Sequence, residues 1–189
     1  MSGDILDECF AWYHTSAVRL ETLPAYSAGG AEAERLDAWR RHYPIPERSV
    51  RTSDYLREVA AGVLAGRERK RFRIVDHPLS EYCRFEIGFA YPESAAAGEE
   101  IRIAVRNGGT AEAQKALAGI DSDAWFFDLG TEDERCVLMG YEPDGTYVDA
   151  HLATEVDHRH LRKLLVKTIE HSVPLAEYLA LARRRFAAA

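Results

Sequence analysis

No stretch of the 189-residue chain approaches the ~18 consecutive apolar residues of a membrane span, so no membrane partner is expected. An export signal is missing too. The first ten residues, MSGDILDECF, carry acids where such a signal carries bases, and the expectation is a cytoplasmic protein. Cysteine is scarce. Cys9, Cys83 and Cys136 are odd in number and far apart, which argues against a disulfide framework and excludes a Cys-x-x-Cys zinc spacing. Positive charge is in deficit, with 24 Lys and Arg against 31 Asp and Glu. A net charge of −7 repels phosphate backbones, so direct nucleic-acid binding is not expected. Three signatures of common chemistry are absent: the Gly-x-x-x-x-Gly-Lys phosphate loop, the Gly-x-Ser-x-Gly elbow and the dinucleotide fingerprint. No cofactor is therefore implied.

What is present suits one globular domain. The chain is 47% hydrophobic and 29% charged, enough to bury a core without staples. Apolar residues at helical spacing predict helices near residues 3–15, 31–42 and 50–65. The middle alternates polar and apolar residues, as half-buried strands do, over residues 71–76, 100–106, 125–128, 135–141 and 146–152. Pro143-Asp144-Gly145 turns the last two into an antiparallel hairpin. Residues 79–90 fit either period, and Pro78 favours a helix there. Thr154 with Asp157 opens a helix carrying Leu161, Leu164, Leu165 and Ile169. Ser172 is expected to cap a final helix with Pro174 in its first turn. Leu175, Tyr178 and Phe186 would face inward, and Arg183, Arg184 and Arg185 would offset the helix dipole. The predicted class is α+β in one domain spanning residues 1–189. It has a helical part (1–66), a mainly antiparallel sheet of about five strands (67–153) and two C-terminal helices (154–187).

Charge is unevenly spread. Residues 35–73 hold eleven Lys and Arg against five Asp and Glu, a local +6 within an acidic chain. This reads as a solvated, ion-paired face or as a docking surface for an anionic ligand or acidic partner. Arg19, Glu21, Arg73, Glu81, Tyr82, Arg84, Glu86, Glu99 and Arg102 are expected to converge on one polar surface. Arg19, Glu21, Arg73, Glu81, Arg84 and Arg102 are its candidate ligand-binding residues, with the arginines gripping carboxylate or phosphate by forked hydrogen bonds. Glu86 and Glu99 are candidate bases and Tyr82 a candidate proton donor. His151, His158 and His160 are candidate metal ligands by their proximity along the chain. His158 and His160 lie ~200° apart on a helix and cannot ligate from one face, so no metal site is assigned.

Several of these residues also carry a resemblance. Arg19-Leu-Glu21 is followed by Tyr26, then by Gly66 with a basic run into Arg71-Phe-Arg-Ile-Val75. Pro78-Leu-Ser-Glu-Tyr82 leads to Arg84-Phe-Glu86, Gly98-Glu-Glu-Ile-Arg102, Trp125-Phe-Phe-Asp128 and Val173-Pro174 with Tyr178. In this order, over roughly residues 10–180, the chain resembles the actinobacterial domain-of-unknown-function family 6879. It departs where the family commonly starts the third helix with Trp-Leu, here Val50-Arg51. It departs again after the Phe-Asp strand, where an acidic pair is replaced by Leu129-Gly130. The resemblance implies a cytoplasmic protein encoded beside helix-turn-helix regulators or specialised-metabolite genes, and no activity. The expectation is an accessory protein that holds a partner protein (a helix-turn-helix regulator or a biosynthetic enzyme) or a small, anionic ligand. The alternative is an enzyme, or enzyme subunit, acting on an anionic metabolite in natural-product biosynthesis.

Overall fold

The strand the helical reading passed over is the centre of the molecule. In the computed structural model, which describes residues 4–187 and side chains as far as 182, Ser16–Glu21 forms β1, buried along its whole length. It lies in a seven-stranded sheet with β2 (Glu68–Val75), β3 (Glu100–Val105), β4 (Asp123–Phe127), β5 (Arg135–Tyr141), β6 (Tyr147–Leu152) and β7 (Ser172–Pro174). The order is β6-β5-β4-β1-β2-β3-β7. Strands β1, β2 and β3 run parallel, and every other pairing is antiparallel. The α+β class therefore stands, but the sheet is mixed and larger than the expected five strands. The residues before 66 are not purely helical, because β1 joins them to the sheet. The β5–β6 hairpin forms as expected.

Helices cover both faces. Val18, Leu20, Phe72, Ile74, Ala104, Ala124, Phe126 and Cys136 point to one face. There they pack against α6 (Ala111–Leu117), which the sequence reading had not assigned, and α7 (Glu155–Glu170). Each large apolar side chain buried here contributes roughly 2 kcal/mol before entropy is counted. Thr154 caps α7 by accepting from the Asp157 amide, as its sequence spacing predicts. The opposite face carries α1 (Ile5–Trp12), α2 (Gly30–Arg40), α3 (Asp54–Leu64) and a helical stretch of three parts. Those parts are α4 (Glu81–Phe85), a π-helical turn (Glu86–Ala90) and α5 (Tyr91–Ala96). Pro92 has no amide to give, and the Tyr91 amide reaches back five residues to the Glu86 carbonyl. The wider turn accommodates the proline without breaking the helix.

Ser172 and Pro174 are not the cap and first turn of the last helix. They form β7 against β3, and α8 begins at Leu175. Leu175 and Tyr178 do face inward. The side chains of Phe186, Arg183, Arg184 and Arg185 lie outside the described residues. Among the described residues, no helix is long and apolar enough to cross a membrane.

Candidate functional site

Alternation along β1 and β2 puts one side chain in two on each face of the sheet. Val18 and Leu20 enter the apolar layer, so Arg19 and Glu21 point the other way. Phe72 and Ile74 do the same, which leaves Arg69, Arg71 and Arg73 beside them. The parallel register sets Arg19 against Arg71 and Glu21 against Arg73. A charged strand face normally meets water. Here it lies beneath α2, α3 and the α4–α5 stretch, and Arg73 is 0% exposed. Buried charge at this density persists only when each group finds partners.

The partners are specific. Arg71 donates to Glu99 at 3.1 Å, to the Tyr55 hydroxyl at 2.9 Å and to Glu21. Tyr91 donates to the other Glu21 oxygen at 2.8 Å. Arg19 reaches Asp123 at 3.1 Å and the Tyr141 hydroxyl at 2.7 Å. Asp123 also accepts from Thr22 and the Tyr26 hydroxyl. Arg73 donates to Tyr26 and to the Cys83 sulfur, both at 3.2 Å. Its Nη2 lies 3.2 Å from Glu86 Oε2, but off the hydrogen-bonding direction, so that oxygen has no donor. Arg19 Nη1 and Arg73 Nε likewise lack acceptors. Arg69 stands apart, its guanidinium packed over Phe10, Trp125 and Tyr55 at 4.4–5.4 Å.

Above this layer the helices leave a cavity of about 700 Å3, within the size range of small-molecule sites. Its floor includes Arg19, Glu21, Arg71 and Glu86. Its walls include Tyr26, Tyr55, Tyr82, Tyr91, Tyr141, Phe85 and the buried Arg35, and Glu32, Glu34 and Arg48 stand toward the rim. Tyr82 donates to Glu32 at 2.8 Å. Arg35 grips Glu93 at 2.7 and 2.8 Å, and Arg48 holds the Ala90 carbonyl and the Ser94 hydroxyl. The tip of the β5–β6 hairpin closes one side. There Gly145, at φ +84°, accepts from the Ser27 amide, and a Cβ would come within 2.4 Å of the Ala25 carbonyl.

The two floor glutamates titrate in opposite directions. Burial opposes charge on Glu21, but Arg71, Arg19 and Arg73 outweigh it and hold the carboxyl down at about 2. Burial pushes Glu86 up, Arg73 only partly offsets it, and the carboxyl comes to rest at about 7. Burial, followed by the charges of Glu86 and Glu32, drives the Tyr82 hydroxyl far above its ordinary range.

Of the residues expected to converge, Arg19, Glu21, Tyr82 and Glu86 line the cavity. Arg73 lies beneath them, held to Tyr26 and against Glu86. Glu99 is 2% exposed and bound to Arg71 and Tyr55, outside the cavity lining. Three residues are not brought in. Tyr82, Cys83, Phe85 and Glu86 take the inward face of α4 and the π turn, so Glu81 and Arg84 point out, and Glu81 pairs with Arg40. Arg102 alternates with the inward Ile101 and Ile103, which sends it to the other face, where it binds Ser172. Asp123, Arg71, Tyr55 and Tyr141 were missed as site residues. The two-residue period shared with Arg73 was available to find Arg71; the others depend on strand register and helix packing. His158 pairs with Glu134 at 2.7 Å, and His151 and His160 are exposed. Among the described residues, no three metal-ligating side chains gather.

Residues 4–180 match the family described as Domain of unknown function (DUF6879). The chain belongs to that family. Within the family match lie β1, β2, the π turn and the hairpin, all of which line the cavity. Neither a curated protein nor a solved structure is significantly similar to the chain.

Proposed function

We propose that this DUF6879 protein is an accessory protein that holds a charged small molecule in the cavity over β1 and β2. The observation that supports this reading is a roofed cavity of about 700 Å3 standing over buried, ionised side chains of the central strands. A purely structural ion-pair layer gains nothing from such a space, since close packing stabilises a fold more than a void does. The partner-protein form of the reading draws less support from the basic segment, since Arg35, Arg69 and Arg73 turn inward while Arg40, Arg41, Arg51 and Arg57 stay exposed. Thermal-shift measurement against a metabolite extract tests the proposal. An upward shift should appear in the natural sequence and disappear in Ala31→Trp, which fills the cavity mouth at an exposed position. An extract that shifts neither protein, or both equally, rejects it.

A specific observation also favours an enzymatic reading. Glu86 lines the cavity and titrates at about 7, where a general base works best. Tyr82 suits the proton-donor role less well, because its proton is held far too tightly at neutral pH. Under this reading Glu86→Gln abolishes turnover of a bound metabolite while leaving its binding in place. Full turnover by that variant would rule the reading out.

A further inference from the structure

Resting on the cavity reading above, we infer that the ligand is an organic cation, an amine seated between the tyrosine wall and the carboxylates of Glu32 and Glu86. The sequence pointed to arginines as grips for an anion. In the fold those arginines are largely engaged by protein acceptors, with Arg19 Nη1 left over in the lining. The four that line the cavity, Arg19, Arg35, Arg48 and Arg71, each satisfy at least two protein acceptors. Carboxylates outnumber them. Six line the cavity: Glu21, Glu32, Glu34, Glu47, Asp54 and Glu86. The lining thus carries two more acids than bases. Including the buried groups beneath it, Arg69 and Arg73 against Glu99 and Asp123, leaves that excess unchanged.

Two of those acids, Glu32 and Glu86, have acceptor capacity to spare beside the tyrosines. Among the described residues the Glu32 carboxylate accepts from Tyr82 alone. Glu86 is only 5% exposed, and its Oε2 has Arg73 Nη2 at 3.2 Å but no aligned donor among the described residues. A buried, donor-starved carboxyl is costly without a ligand and becomes an asset once an ammonium group approaches it. Aromatic rings adjoin both. Tyr82 bridges Glu32 and the neighbourhood of Glu86, and Tyr26 contacts Tyr82 and Tyr141 edge-on at centroid distances of 5.9 and 5.2 Å. Ring faces beside carboxylates are what an organic ammonium ion uses, by cation–π and charge-assisted hydrogen bonds together. Arg73 already lies over one face of Tyr26, at 5.0 Å.

Binding should also release a proton, since an ammonium group favours the ionised form of Glu86. The charged and titratable groups facing Glu86 are Arg73 and Arg71 from β2, Glu21 from β1, Tyr82 from α4 and Tyr91 from α5. Of these, only Glu86 itself has a pKa near neutrality, at about 7. Amine affinity therefore rises with pH through that value and levels off above it.

Three ligands with one body and different charge isolate the claim: phenethylammonium, phenylacetate and 2-phenylethanol. Each is titrated into the full chain by NMR at pH 8 and fixed ionic strength. The ammonium compound should bind about tenfold more tightly than either analogue, and Glu86→Gln should remove that preference. Glu32→Gln, at an exposed position where folding is not at stake, should weaken the ammonium compound about threefold. Phenylacetate binding as tightly as the amine, or amine binding indifferent to all these substitutions, overturns the inference. If the uncharged or anionic analogue binds and Ala31→Trp blocks it, the cavity reading survives and the cationic one falls. If none of the three binds and the metabolite extract gives no shift, both fall.

Discussion

Replacing Glu86 with Gln should make this protein more stable, and only above acidic pH. The free carboxyl titrates near 4.5, and the folded one near 7. A raised carboxylate pKa means that folding opposes ionisation. Stability is therefore highest where the group is neutral in both states and falls as pH climbs from 4.5 to 7. The interval of about 2.5 units corresponds to about 3 kcal/mol, fully lost above pH 7. Gln mimics the neutral carboxyl and does not suffer that loss. Urea unfolding at pH 5 and pH 8 should show the variant near parity with the natural sequence at pH 5 and about 2–3 kcal/mol more stable at pH 8. Glu21→Gln provides the opposite control. Its carboxyl is lowered from 4.5 to about 2, so its contribution is present above 4.5 and is lost as pH falls through 2. That variant should lose about 3 kcal/mol at pH 7 and little at pH 2. Equal destabilisation by Glu86→Gln at pH 5 and pH 8 would refute the reasoning, because it would mean that Glu86 is a structural anion for Arg73.

Other outcomes follow from neighbouring geometry. Asp128, at φ +52°, accepts from the amides of His14, Thr15 and Ser16 and from the Thr15 hydroxyl. Asp128→Ala should cost about 3 kcal/mol in denaturant unfolding; a loss below 1 kcal/mol would show that water replaces the carboxylate. Gly145→Val should loosen the contact between the hairpin tip and the Ala25–Ser27 loop, lowering ligand affinity more than Tm, as paired titration and melting curves would reveal. Arg102→Met, on the far face of the sheet, should leave ligand binding unchanged; impaired binding would contradict the assignment of the site to one face.

Local sequence patterns determined the helices expected near residues 31–42 and 50–65 and after Thr154, found as α2, α3 and α7, together with the β5–β6 hairpin and the α+β class. Each rests on contacts within a few residues, which a local pattern records. Alternation in Arg71-Phe-Arg-Ile-Val75 likewise specified a strand with one charged face. It could not say whether water or protein meets that face, and solvent was the default. Tertiary structure decided that, by laying the α4–α5 stretch over the arginines. It also decided the place of β1, six residues with two charges that look unlike a central strand until β2 and β4 pair with them. Asp123 reaches Arg19 across some hundred residues of chain, through antiparallel register alone. Which charges are spent on one another, and which remain for a ligand, depends on such long-range pairings, and no spacing along the chain encodes them.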